Sequence, residues 1–142
     1  MKSFILKGKQ PIIKWGRIPH GTFFEGSVPE GYSLAICPND PYIILDIDLK
    51  PELNGYHNIP TEIYNILFKT HFHYGTKSGG SHIWLKYTGN KQLKNRATKL
   101  GLDLRTSSGY VKWYLDGDIR NHIDDIKETN EELNNWLENL FA

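Results

Sequence analysis

The chain has 142 residues, 39% hydrophobic and 23% charged, with a formal net charge of +1. That length supports one hydrophobic core and excludes two ordinary domains. No run approaches the roughly eighteen apolar residues of a membrane span, and Met1-Lys2-Ser3-Phe4-Ile5-Leu6-Lys7 meets charge too early for a secretory leader, so a cytoplasmic protein with no membrane partner is expected.

The first thirty residues are rich in Gly and Pro and interleave Trp15, Phe23 and Phe24, which predicts irregular structure pinned by aromatics. Cys37, the one cysteine, excludes an internal disulfide and a multi-cysteine zinc site, and reads as a small buried hydrophobe. Tyr32–Cys37 and Tyr42–Leu49 are β-type runs, and the Pro38-Asn39-Asp40-Pro41 turn between them predicts antiparallel neighbours. Ile63, Ile66 and Leu67 after Pro60 predict a short helix near 61–70. Ser81–Tyr87 and Leu102–Arg105 read as strands with a basic helix or loop between them, and Tyr110–Leu115 as another. Thr129 with Glu132 makes a capping box, and Leu133, Trp136, Leu137, Leu140 and Phe141 form one stripe of a C-terminal amphipathic helix expected to dock on the domain. Strands interspersed with helices make the class α+β.

The near-neutral charge is a cancellation. Residues 1–115 hold 15 basic and 8 acidic residues, whereas residues 116–142 hold 2 basic and 8 acidic. Lys7, Lys9, Lys14 and Arg17 form one acid-free group, and Lys86, Lys91, Lys94, Arg96 and Lys99 a second. Each alone fits a solvated surface; two around a site favour a polyanion partner.

Alternation along Ile43-Ile44-Leu45-Asp46-Ile47-Asp48-Leu49 puts Asp46 and Asp48 on one face of an otherwise apolar strand, with Cα atoms about 7 Å apart. A divalent cation between them resolves their repulsion, and all-oxygen ligands point to Mg²⁺ or Mn²⁺; a strand end reaching water also fits an isolated pair. Asp103 and Arg105 share a face of their strand, as do His82, Trp84 and Lys86 of theirs. If the three strands form one sheet, the acids, His82 and Arg105 stand together, and a third carboxylate is what a two-metal phosphoryl-transfer site requires. Gly75-Thr76-Lys77-Ser78-Gly79-Gly80-Ser81 offers backbone N–H groups, the Ser78 and Ser81 hydroxyls and the Lys77 charge to a triphosphate, although a glycine-rich hairpin turn looks similar.

In order and spacing, D-I-D (46–48), T-K-S-G-G-S-H (76–82), G-L-D-L-R (101–105) and S-G-Y-V (108–111), with G-K-Q-P-I-I-K-W (8–15) and G-Y-S-L-A-I-C (31–37) before them, resemble the bifunctional DNA primase/polymerase domain of the archaeo-eukaryotic primase superfamily. The resemblance runs over about residues 8–115. It implies a primase-like α+β catalytic domain at residues 1–115 with an RRM-like antiparallel or mixed sheet. Residues 116–142 would be an acidic helical appendage packed on the same domain. It implies a DNA primase/polymerase, a nucleotidyltransferase in phage, plasmid or mobile-element replication. Asp46, Asp48 and Asp103 would bind two Mg²⁺ or Mn²⁺ ions, and His82, with Ser78 and Lys77, would hold the incoming nucleoside triphosphate. Arg105 and Lys9 would be auxiliary phosphate contacts. The partners would be a single-stranded DNA template or primer-template, with a replicative helicase or single-strand-binding protein at the acidic segment. Alternatively that segment masks the basic face. Family members usually carry a longer catalytic domain, so nucleotide addition is the firmer expectation than priming.

Two other readings compete. A non-catalytic nucleic-acid or nucleotide-binding accessory protein would use Trp15, Trp84 and Trp113 for base stacking. The His71-Phe72-His73 strand resembles the metal motif of rolling-circle endonucleases, with Tyr110 or Tyr114 as nucleophile.

Overall fold

The computed structural model describes residues 1–142 as an α+β fold of ten strands and two α-helices. In chain order these are β1 (Lys2–Lys7), β2 (Gln10–Pro11), β3 (Tyr32–Cys37), β4 (Tyr42–Ile47), β5 (Leu49–Lys50), β6 (Leu53–Asn54), α1 (Thr61–Thr70), β7 (His73–Gly75), β8 (Ser81–Lys86), β9 (Leu102–Arg105), β10 (Val111–Lys112) and α2 (Glu131–Phe141). One sheet has the order β10-β3-β1-β2 and a second β7-β8-β4-β9, with β5 and β6 forming a small ribbon; every named strand pair is antiparallel. No helix is long and apolar enough to cross a membrane.

Four layers follow from where the apolar side chains go. Ile43, Leu45 and Ile47 of β4 alternate onto one face with Ile83, Leu85, Leu102 and Leu104, and this face packs on Ile63 and Leu67 of α1 and Leu133, Leu137 and Phe141 of α2. The opposite face, with Ile44, Trp84 and Tyr74, packs on Leu34, Ile36 and Val111 of the first sheet. Beyond that sheet, Phe4, Leu6, Ala35 and Cys37 meet Trp15, Ile18 and Tyr110. The second sheet is therefore the middle of the molecule, helix-backed on one side and roofed by the first sheet on the other.

Several expectations are corrected. β3 and β4 are not a hairpin pair: β3 lies between β1 and β10, β4 between β8 and β9, and the Pro38–Pro41 turn carries the chain from one sheet to the other. Residues 2–7 are a largely buried strand, because its polar groups find partners across the fold: Lys2 Nζ donates to the Ile18 carbonyl at 2.7 Å and Ser3 Oγ accepts from Phe24 N–H at 2.8 Å. The segment between β8 and β9 is a loop, one of the two forms expected, whereas Tyr110–Leu115 contributes a strand only at Val111–Lys112. The cap of α2 is Asn130, whose side chain accepts from Leu133 N–H at 2.9 Å. Thr129 is buried instead, accepting from Thr88 N–H at 3.0 Å and tying the helix start to the end of β8.

Few ion pairs join the acidic C-terminal segment to the rest of the chain. Its one ion pair to a body cation is Lys86–Glu128 at 3.8 Å; Arg120, anchored by Asp118, reaches back to Glu25 at 2.6 Å.

Candidate active site: an acidic triad between two sheets

Register brings the acids together. Asp46 on β4 lies directly opposite His82 on β8 and Asp103 on β9, while Ile44, one pleat away on the same face, lies opposite Trp84 and Arg105. Asp48 follows where β4 leaves the sheet. Its N–H donates to the Gly101 carbonyl at 2.9 Å and its carbonyl accepts from Gly55 N–H at 2.8 Å, so two backbones clamp it from either side. That clamp needs glycine: a Cβ on Gly55 would stand 2.2 Å from the Gly101 carbonyl oxygen. Gly55→Ala should therefore shift the end of β4 and destabilise the fold by about 1–3 kcal/mol, measured by denaturant unfolding; an unchanged midpoint would show that the clamp yields freely.

Carboxylate oxygens of Asp46, Asp48 and Asp103 all lie within 4.8 Å of one another. Burial, then the neighbouring Asp46 charge, raises the Asp48 carboxyl above the ordinary aspartate value; burial, then Asp48, raises Asp103. Arg105 offsets part of this at 3.4 Å from Asp103 Oδ2, and Thr98 N–H donates to Asp103 Oδ1 at 3.3 Å. Three hard oxygen donors that repel one another could hold a metal ion, and the donor set fits Mg²⁺ or Mn²⁺.

Asp46 and Asp48 face a cleft of about 590 Å³ between the sheets, where the β1–β2 hairpin and β10 overhang the end of β4. Asp46, Asp48, Lys77, Ser78, His82, Arg105 and Lys9 all line it, and Asp103 lies buried beside Asp46. Sequence reasoning missed Lys50 and Lys112, which also line it, and gave Tyr114, a further lining residue, a place only in the endonuclease reading. Lys50 was legible by alternation from Asp48, but β10 gave no sign of which strand it would face.

The glycine-rich segment packs on the same end of β4. A Cβ on Gly80 would lie 2.1 Å from the Ile47 carbonyl oxygen, so only glycine allows this approach. Thr76 N–H donates to the Gly80 carbonyl at 2.9 Å, closing the turn that presents Lys77 and Ser78. Ser81 does not serve as an anion donor. It is buried with its hydroxyl 2.6 Å from the Tyr56 oxygen, and because Tyr56 O–H donates to the Gly79 carbonyl at 3.0 Å, the Ser81 proton goes to Tyr56.

Tyr74, also unanticipated, orients His82. Its buried oxygen lies 3.1 Å from Trp84 Nε1 and 3.2 Å from His82 Nδ1. Indole N–H can only donate, so Tyr74 accepts from Trp84; its own proton then has one acceptor, Nδ1 of His82. The imidazole proton is thereby assigned to Nε2, which faces Asp46 Oδ1 at 3.4 Å and the cleft. A proton on Nδ1 would leave the Tyr74 hydroxyl unpaired in the core. Tyr74→Phe should cost about 1–3 kcal/mol through the two orphaned nitrogens. It should also weaken, without reversing, the preference for the Nε2–H tautomer in two-bond ¹H–¹⁵N spectra, since Asp46 still faces Nε2; an Nδ1–H tautomer in the wild type would refute the assignment.

No protein-family model and no curated protein matches the chain.

The competing sites fare differently. Trp84 and Trp113 are buried in the core between the sheets, which removes both as base-stacking platforms, whereas Trp15 is half-buried against Phe4. His71 is buried with Nδ1 unpartnered, and exposed His73 turns its own Nδ1 to the His71 carbonyl at 2.8 Å. Tyr110 and Tyr114 line the acidic cleft, whereas neither histidine does, and the triad is the one cluster of three or more metal-ligating side chains.

Proposed function

We propose that this protein is a metal-dependent, template-directed nucleotidyltransferase with a primase-like fold, adding nucleotides to a DNA strand. The observation that carries the reading is the three-carboxylate cluster at the floor of a cleft whose walls bear His82, Lys77, Ser78, Arg105 and Lys9. Carboxylates alone would repel a triphosphate. Cations alone would bind one without activating it; the pairing suits phosphoryl transfer.

Asp46, Asp48 and Asp103 would hold the divalent cations, two in the resemblance, which supply Lewis-acid stabilisation of the attacking and leaving oxygens. The chain's own groups do the rest. Lys77 and the Thr76–Gly80 turn bind the triphosphate, with Ser78 adding a hydroxyl donor. His82, held by Tyr74 with its Nε2 proton outward, donates to a phosphate oxygen or to Asp46. Arg105 holds Asp103 and balances charge beside it, and Lys9 on the overhanging hairpin approaches from the roof. The preformed positions lower the entropic cost of alignment.

The test is incorporation of labelled nucleotides on primed and unprimed single-stranded DNA with Mg²⁺ or Mn²⁺. Primer extension supports the reading, and synthesis on unprimed template adds priming to it. No incorporation, together with no cation binding at the triad, overturns it in favour of an accessory binding protein.

A further inference from the structure

A second cleft, about 640 Å³ in volume, lies just beyond the first. Its wall carries Lys91, Lys94, Asn95, Ser107 and Ser108, with Asp40 its single acid. Thr106, Ser107 and Ser108 line this cleft while Arg105 and Tyr110 line the acidic one, so the turn closed by Gly109 N–H to the Thr106 carbonyl, at 3.0 Å, is the ridge between them. Neither Lys91, Lys94, Arg96 nor Lys99 has an ion-pair partner, and no acid occurs among them.

These cations are presented by a framework, not by a loose loop. Leu93 is buried in the helix-backed core. Lys94 N–H donates to the Phe141 carbonyl at 2.8 Å, and Tyr87 O–H donates to the Lys91 carbonyl at 2.8 Å. Asn95 Oδ1 accepts from Thr106 N–H at 3.0 Å, and Arg96 and Leu104 exchange both backbone hydrogen bonds. Thr98 then donates to Asp103, so the basic segment begins at the second cleft and ends on the triad.

We propose that the second cleft is a binding site for the phosphodiester backbone of a single nucleic-acid strand, which crosses the Thr106–Gly109 ridge into the acidic cleft. The identity of the strand as template or primer rests on the proposed polymerase function; the phosphate site itself does not. Three features select this ligand. The lining is polar, so an apolar occupant is disfavoured. Lys91 and Lys94, together with the exposed Ser107 and Ser108 hydroxyls, match phosphate oxygens, whereas the lining offers no aromatic beyond half-buried Tyr87 to stack a base. The four-residue ridge spans at most roughly 14 Å, which a few nucleotides can bridge. Binding should accordingly be indifferent to base sequence.

The experiment measures fluorescence anisotropy of a labelled single-stranded oligothymidylate across a salt series, in EDTA and without nucleotides, so that the triad plays no part. Lys91→Gln/Lys94→Gln changes two exposed side chains and should leave the fold intact. Its affinity should fall, and its log–log salt slope should be shallower by about 1.4, two single-strand phosphate contacts at roughly 0.7 each. Lys7→Gln/Lys14→Gln removes the same charge from the other basic group and should change the slope less. Equal effects from the two variants would mean bulk charge and overturn the site, as would an unaltered Lys91→Gln/Lys94→Gln slope. So would a Lys91/Lys94 variant that loses affinity for a free nucleoside triphosphate but not for the oligonucleotide. Wild-type protein that binds strands through these lysines yet incorporates nothing and binds no cation at the triad would refute the polymerase reading and leave this site standing.

Discussion

Asp46→Asn/Asp48→Asn is expected to reduce nucleotide incorporation roughly a thousandfold or more, since even one lost electrostatic contact to a reacting oxygen costs about 10²–10³ in rate. The same substitution should make metal-free protein more stable, not less. Asp48 and Asp103 have carboxyls raised in the folded state, by burial first and by neighbouring aspartates second. Over the pH range between the unfolded and folded values, the folded chain therefore binds more protons than the unfolded one, and stability falls as pH rises. The destabilisation is absent below the ordinary aspartate value, grows as pH rises and is complete once pH has passed the raised folded values. Divalent cation should remove it. Melting curves at several pH values, with and without Mg²⁺ or Mn²⁺, should show a cation-dependent rise in wild type that the double variant lacks. Retained incorporation in the variant, or a wild type blind to both metals, would sink the metal site.

The second large effect concerns the C-terminal helix. Phe141 is fully buried with Leu133 and Leu137 against the underside of the central sheet, and its carbonyl accepts from Lys94 N–H at 2.8 Å. Phe141→Ala should cost about 3–5 kcal/mol, a drop of roughly 10–20 °C in Tm for a chain of this size. The acidic segment is thus structural through its apolar stripe, whatever its charged face binds. A melting temperature within a few degrees of wild type would mean that α2 is dispensable to the core.

Elements with strong periodicity were legible from the amino acids. α1 at Thr61–Thr70, β3 at Tyr32–Cys37 and β9 at Leu102–Arg105 lie where their patterns put them, and the shared face of Asp46, Asp103 and His82 follows from alternation once the strands pair. Pairing itself was not legible. The Pro38–Pro41 turn looks like a hairpin because turn residues report a change of direction, not which partner the next strand finds. β1 was hidden for a different reason: Lys2 and Ser3 read as surface residues, and only the fold brings the Ile18 carbonyl and Phe24 N–H that make their burial tolerable. Thr129 and Asn130 are both competent caps, and the choice was decided by Thr88, forty-one residues away in the chain.

The central strand has one more consequence. β4 places isoleucines and leucine toward the helices and aspartates toward the cleft, and both of its neighbours alternate in phase with it. A slip of one residue against either neighbour would push carboxylates into the helix-backed core and bring its apolar side chains out to water, an error dear on both faces at once. The aspartates therefore disfavour the slipped registers relative to the observed one. The carboxylates that line the candidate site are thus the same side chains that penalise a mispaired sheet.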